Sequence, residues 1–245
     1  MKKIIGMLGG MGPGATADAF SKLIANTHAK KDQDHIPIII VSIPDIPDRT
    51  ENIIHQGLSP LPAMIDSLKL LENAGVSCII MPCNTAHYWY EDLKKIVNIH
   101  FISIIDAACN KIINSGIKKV ALLATSATIY TKLYQEKLRN YGIECFVPDE
   151  VNQYKVMQSI ISYKSGDLEL AKELIFPYVN QLKSLGMNKF IMGCTELPII
   201  LNELSIKSPD DFIDATEELI KETVIWYNLT NIVNETEDNK LSSAL

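Results

Sequence analysis

The 245-residue sequence lacks several features that mark whole classes of protein. It has no Cys-x-x-Cys pair and no cysteine–histidine cluster at zinc spacing. No apolar run approaches the roughly 20 residues that span a bilayer. Basic residues are not in excess, because the net charge is -6, and nonspecific nucleic-acid binding needs a cationic face. We therefore expect no membrane partner and no nucleic-acid partner.

The sequence has five cysteines, an odd number, at positions 78, 83, 109, 145 and 194. The apolar part of the opening "MKKIIGMLGG" is too short for a signal peptide. Reduced thiols in a cytoplasmic protein are the expectation. A redox disulfide between Cys83 and Cys194 is conceivable, but thiol exchange usually employs the absent Cys-x-x-Cys pair.

Short β-branched runs alternate with longer amphipathic stretches along most of the chain. Candidate strands cover 3–8, 37–43, 77–81, 101–105, 119–124, 144–147 and 189–193. Helical patterns cover 16–29, 61–73, 107–114, 128–141, 168–185 and 215–227. Continuous apolar strands separated by helices predict parallel sheets covered on both faces. The predicted class is α/β.

Three landmarks of the first half recur in order in the second. "KKIIGMLGG" matches "KKVALLATS", "CIIMPCNTAHYWYEDL" matches "KFIMGCTELPIILNEL", and "FISIIDAACNKII", with Asp106, matches "DFIDATEELIKET", with Asp214. This repeat predicts two similar α/β lobes, related by an approximate twofold axis, with a cleft between them. The predicted lobes are residues 1–105 plus 212–227 and residues 106–211, followed by a polar tail, 228–245, that we expect to fray.

The repeat places Cys83 and Cys194 at equivalent junctions between a strand and a helix. Open α/β sheets bind ligands at the carboxyl ends of their strands. Two thiols on opposite walls of a cleft suit the inversion of a stereocentre, since one removes a proton and the other returns one. A helix amino terminus behind each thiol would favour the thiolate. Buried packing is the alternative for any cysteine, and we expect it for Cys78, Cys109 and Cys145.

"MLGGMGPGAT", "MPCNTAH" and "MGCTELP" resemble the cofactor-independent aspartate/glutamate racemase family, in particular its aspartate racemase branch. The resemblance runs from Ile4 to about Tyr227. It implies a two-lobed fold, catalytic residues Cys83 and Cys194, an amino-acid substrate held without pyridoxal phosphate or another cofactor, and a homodimer. Relatives that isomerise maleate or decarboxylate use overlapping motifs, so a one-cysteine reaction stays an alternative. So does an inactive amino-acid-binding homologue.

Small polar residues beside the two cysteines are candidates to hold the substrate's carboxylate and ammonium groups. They are Asn84, Thr85, Thr125, Thr128 and Thr195, and the alternative for each is helix capping. The glycine loop "GGMGPGAT" lacks the spacing of nucleotide-binding motifs, so we expect Met11 and Gly12 to line the pocket and Pro13 to start a helix.

An acidic side chain of the substrate needs a cation. Arg49 and Lys164 are placed by the sequence pattern in loops, and they resemble positions that hold the distal carboxylate in aspartate racemases. An isolated loop cation is otherwise solvated. Glu196 is expected to tune the thiol or hold the ammonium group, or else to complement a helix dipole. His87 could shuttle a proton, although capping or packing is commoner. Aspartate and glutamate differ by one methylene, and the sequence leaves both open.

Overall fold

A computed structural model describes residues 2–242, with the surroundings of side chains described for residues 2–231. Eight parallel strands form two four-stranded sheets. The first sheet contains β1 (Ile5–Gly9), β2 (Ile38–Ser42), β3 (Cys78–Ile80) and β4 (His100–Ile102). The second contains β5 (Lys119–Ala124), β6 (Glu144–Phe146), β7 (Phe190–Gly193) and β8 (Phe212–Asp214). The α/β class predicted from the alternating pattern is confirmed, and so are all seven predicted strands.

Within residues 2–242, twelve α-helices connect and cover these strands. The first six are α1 (Pro13–Asn26), α2 (Arg49–His55), α3 (Leu61–Asn73), α4 (Tyr90–Lys94), α5 (Ile104–Asn114) and α6 (Ser126–Tyr130). The others are α7 (Leu133–Arg139), α8 (Glu150–Lys164), α9 (Leu168–Ser184), α10 (Leu197–Ile200), α11 (Asn202–Lys207) and α12 (Ala215–Ser242). Pro13 occupies the first turn of α1, as expected. No helix within residues 2–242 is long and apolar enough to cross a bilayer.

The two sheets have the same strand order. It is β2-β1-β3-β4 in the first and β6-β5-β7-β8 in the second. In each sheet the chain leaves the first strand toward one edge and then crosses back to the other side. The crevice at that reversal, outside the carboxyl ends of β1 and β3 or of β5 and β7, is where such sheets bind ligands.

Strand register refines the internal repeat. Ile80 pairs with Ile102 in the first sheet, and Ile191 pairs with Ile213 in the second. The residue after each of these pairs, Ser103 or Asp214, caps the helix that follows. Asp214 therefore corresponds to Ser103 and not to Asp106, and their separation in sequence equals that of Cys83 and Cys194.

A shared apolar core joins the two halves. One cluster of buried side chains contains residues of β1 and β3, of β5 and β7, and of the helices α5 and α12 that lie between the sheets. Two further clusters cover the outer faces of the second and first sheets. Burial of this common core at roughly 25 cal/mol per Å² fixes the carboxyl ends of both sheets relative to each other.

Four expectations need correction. Residues 212–214 form β8 and pair with β7, so this part of the segment assigned to the first lobe belongs to the second sheet; the boundaries of the lobes as domains stay a prediction. Arg49 and Lys164 lie in helices α2 and α8 and not in loops. The stretch 128–141 is two helices, α6 and α7. The backbone of α12 continues through the predicted tail to Ser242, and residues 243–245 lie outside the described residues.

Candidate active site

Cys83 and Cys194 line one small cavity between the two sheets. Cys83 follows β3 and Cys194 follows β7, so the two reversal points of the sheets bring the cysteines together. The cavity has a volume of about 20 Å³, which is space for a single water molecule. Each cysteine is 6 % exposed. The arrangement predicted from the repeat, two thiols at one cavity, is the one that the structure contains.

A wider cavity of about 660 Å³ lies outside the small one. Four residues line both cavities: Asp48, Arg49, Lys164 and Glu196. Their side chains therefore form the boundary between the thiols and the outer opening. Movement of these side chains is required before a substrate of amino-acid size can reach both sulfurs.

Glu196 connects the second cysteine to this boundary. Its Oε2 accepts hydrogen bonds from Cys194 Sγ at 2.8 Å and from Thr195 Oγ1 at 3.3 Å, while its Oε1 lies 3.6 Å from Lys164 Nζ. Burial first, and then the Glu196 carboxylate, raises the pKa of the Cys194 thiol well above its usual value, although Lys164 opposes the shift. Burial lowers the pKa of Lys164, but the charge of Glu196, with a smaller contribution from the two cysteines, outweighs it, so the net shift is upward.

Asn84, the residue after Cys83, presents an unpaired amide group. Its Oδ1 accepts a hydrogen bond of 2.5 Å from the hydroxyl of Tyr134, a fully buried residue of α7. Its Nδ2 is buried without a hydrogen-bond partner among the described residues. Asn84 makes no capping hydrogen bond, and it lines the small cavity. An unpaired buried donor is costly, so this amide is a group suited to a carboxylate ligand.

Three threonine hydroxyls form a buried cluster across the two halves. Thr85 Oγ1 lies 2.8 Å from Thr125 Oγ1 and 3.1 Å from Thr128 Oγ1, and the last two are 2.9 Å apart. Thr85 and Thr125 line the small cavity, whereas Thr128 lies behind them and is 0 % exposed. The sequence predicts a substrate contact for all three, but Thr128 does not line the cavity. Thr125 also caps α6, which is the alternative that the sequence offered for it.

Arg49 is buried at the start of α2. Its Nη1 donates hydrogen bonds to the carbonyl oxygens of Ile46 at 3.2 Å and Pro47 at 3.1 Å, and its Nε has no partner among the described residues. The backbone contacts hold the guanidinium at the cavity wall and leave donors unused. Arg49 is therefore held by the protein, and it is not the solvated loop cation that was the alternative interpretation of the sequence.

The glycine loop after β1 contributes two predicted pocket residues. Met11 lines the small cavity and Gly12 lines the outer one, where an added Cβ would meet nothing within 4 Å. Gly10 has a φ of +88°, and a Cβ there would lie 2.3 Å from the carbonyl oxygen of Ile43. Gly10 is therefore required by the packing of the chain on itself.

His87 has both ring nitrogens engaged by the backbone. Nε2 accepts the N–H of Ile104 at 3.1 Å, so Nδ1 carries the proton and donates it to the carbonyl oxygen of Cys83 at 2.8 Å. Burial lowers the pKa of His87 to about 4. The neutral ring holds the Cys83 backbone in place. His87 therefore has the packing role, which was the alternative to a proton shuttle.

This histidine predicts a pH dependence of stability. Its pKa falls from 6.5 to about 4 on folding, so the unfolded chain binds more protons between these two values. The free energy of unfolding should fall as pH drops through this window, by up to about 3 kcal/mol, and the contribution is complete above it. Denaturant unfolding at a series of pH values measures the slope. His87→Gln keeps a donor and an acceptor but does not titrate, so an equal slope in that variant would contradict the assignment.

The other three cysteines belong to the core. Cys78 and Cys109 are buried in the shared cluster, and Cys145 packs against it. Burial raises the pKa of each to about 12, as expected for inert thiols. Among the described side chains, no group of three or more histidines, cysteines and acidic residues is arranged to hold a metal ion.

Sequence reasoning missed three residues at this site. Asp48 and Thr50 line the small cavity on either side of Arg49, and Tyr134 binds Asn84 from the second half of the chain. Asp48 and Thr50 could have been predicted, because they flank Arg49 in the sequence. Tyr134 had none, because an aromatic residue in an amphipathic helix is usually core.

Comparison with known proteins identifies relatives along nearly the whole chain. Residues 8–223 match the family model described as Asp/Glu/Hydantoin racemase. The aspartate racemase of Picrophilus torridus has 36 % sequence identity and a TM-score of 0.85, over 92 % of this chain and 94 % of that one. The broad-specificity amino-acid racemase RacX of Bacillus subtilis is 29 % identical over 91 % of this chain and 98 % of its own. Glutamate racemase from Francisella tularensis in complex with D-glutamate shares the fold, with 19 % identity, a TM-score of 0.68, and coverage of 96 % and 82 %.

Proposed function

Because the chain belongs to the Asp/Glu/Hydantoin racemase family, we propose that it interconverts the L and D forms of aspartate, glutamate or both by a two-thiol reaction without pyridoxal phosphate. The family makes the chain an isomerase. The proposal adds the substrate, the independence of a cofactor and the roles of Cys83 and Cys194.

The observation that carries this proposal is the pair of cysteines on one cavity. In the proposed reaction, one sulfur is a thiolate and removes the Cα proton from one face. The other is a thiol and delivers its proton to the opposite face. The two roles exchange in the reverse direction, so each sulfur must reach the same carbon. A shared cavity between matching strand ends supports this arrangement, once the side chains at its boundary have moved.

The polar groups around the cavity suit an acidic amino acid. The unpaired amide of Asn84 and the hydroxyls of Thr85, Thr125 and Thr195 are neutral donors for the α-carboxylate, where negative charge develops in the transition state. Arg49 and Lys164 are two cations at the outer boundary, which fits a second carboxylate. Glu196 supplies an acceptor for the ammonium group or for the thiol.

A screen of every L- and D-amino acid for exchange of the Cα hydrogen in D2O tests the proposal. We expect deuterium at Cα of aspartate, glutamate or both, together with the opposite enantiomer. Pyridoxal phosphate should not be needed. A protein that binds these amino acids without exchange would contradict the proposal and favour a binding function. Consumption of substrate without racemisation would favour the one-cysteine reactions.

Broad specificity is the second candidate, and the likeness to RacX over 91 % of the chain favours it. The same screen separates the two. Exchange confined to acidic amino acids agrees with a role for Arg49 and Lys164 in binding a distal carboxylate. Comparable exchange with neutral side chains would assign those cations to other tasks. The homodimer and the cytoplasmic location stay predictions.

A further inference from the structure

Glu196 makes the surroundings of the two sulfurs unequal. Glu196 is 4 % exposed, and its carboxylate accepts a hydrogen bond from the Cys194 thiol at 2.8 Å. Among the described side chains, no carboxylate hydrogen-bonds to the sulfur of Cys83. The repeat therefore gives the two cysteines matching positions, while the residues that follow them, Asn84-Thr85 and Thr195-Glu196, give them different partners.

The geometry favours one protonation state of this pair. A thiol can donate to the carboxylate, but a Cys194 thiolate would place a second negative charge next to Glu196 in a buried site. Like charges at such a distance disfavour the charged form of the thiol. Lys164, 3.6 Å from the other carboxylate oxygen, offsets part of this repulsion without contacting the sulfur directly.

We propose that Glu196 is a positioning residue that holds the proton on Cys194, so that Cys194 rests as a thiol and is poised as the proton donor. This deepens the two-thiol proposal and rests on it. The resting enzyme is then ready for the enantiomer whose Cα hydrogen faces Cys83. The opposite enantiomer requires the form in which Cys194 has lost its proton.

The consequence for kinetics is specific. The equilibrium constant between enantiomers is one, so kcat/KM must be the same in both directions. Unequal resting forms therefore appear as a difference in kcat that is balanced by an equal difference in KM.

Other titratable and charged residues line the same cavity as Cys194 and contribute to its titration. They are Cys83, Asp48, Arg49 and Lys164, besides Glu196.

The test titrates Cys194 alone and needs no turnover. In Cys83→Ser protein, the rate of alkylation of Cys194 by iodoacetamide is followed against pH by peptide mass spectrometry, together with the ultraviolet absorbance of the thiolate, which does not depend on access. Adding Glu196→Gln should lower the titration midpoint by one pH unit or more, so that alkylation at neutral pH rises about tenfold. Glutamine preserves the size of the side chain.

Lys164→Met is the matched control, since it also breaks the Lys164–Glu196 pair but keeps the carboxylate. We expect it to raise the midpoint. Equal acceleration by both substitutions, with unchanged midpoints, would mean that the pair only limits access, and this would overturn the inference. An unchanged midpoint in the Glu196→Gln protein would overturn it as well. Because neither readout uses racemisation, failure of this inference is distinguishable from failure of the proposed function.

Discussion

Replacing either Cys83 or Cys194 by alanine should lower racemisation by about 10³-fold or more in both directions. A proton transferred by a positioned side chain contributes roughly 10²–10⁴-fold to a rate, and each direction uses both thiols. The loss should appear mainly in kcat, because neither sulfur supplies the charge that binds the substrate. Chiral chromatography of reactions started from the L form and from the D form measures it.

Cys145→Ala is the matched control for these variants. Cys145 is a cysteine on the edge of the apolar core, away from the cavity, and its loss should leave racemisation within about twofold of wild type. Circular dichroism of all three variants excludes unfolding as the cause. Full activity in Cys194→Ala protein, in either direction, would refute the assignment of two bases.

Arg49→Met should lower kcat/KM for an acidic substrate by about 100-fold. Hydrogen bonds to charged groups contribute about 1.5–3 kcal/mol, which corresponds to roughly 10- to 150-fold. The guanidinium is buried at the boundary of both cavities and has an unpartnered Nε, so a carboxylate there would find a ready donor. Steady-state kinetics with aspartate measure the effect, and the loss should appear mainly as a higher KM.

A structural role for Arg49 predicts a different pattern. Its Nη1 also binds two backbone carbonyl oxygens, and loss of those contacts alone would lower kcat without a matching rise in KM. The division of the loss between KM and kcat separates the two roles. Arg139, the other arginine of the sequence, is exposed on α7, so Arg139→Met should leave both constants unchanged.

The strands were predictable because their signal is local. In the run Lys119–Ala124, every residue after the exposed Lys119 is apolar and buried, and a parallel sheet covered on both faces needs that composition. Helix α8 was missed since only Val156, Ser159 and Ile160 of its fifteen residues are buried, which leaves no apolar stripe to detect. That omission placed Lys164 in a loop, whereas it ends a helix.

The part of the site that lies within the internal repeat could be predicted from the sequence. Equivalent strand ends placed Cys83 and Cys194 together, and neighbouring residues came with them. The contacts of Tyr134 with Asn84 and of Lys164 with Glu196 join segments that are far apart in sequence, so only the packed structure contains them. The same applies to the burial of Thr128 behind the hydroxyls that it was expected to accompany.

The position of deuterium in D2O at low conversion tests the central claim most directly. The substrate is the unlabelled acidic amino acid that the screen identifies. If two thiols act on opposite faces, the newly formed enantiomer carries deuterium at Cα, while the remaining substrate carries almost none. Product that retains the original hydrogen, or substrate labelled as fast as product, would mean that a single base serves both faces and would contradict the account.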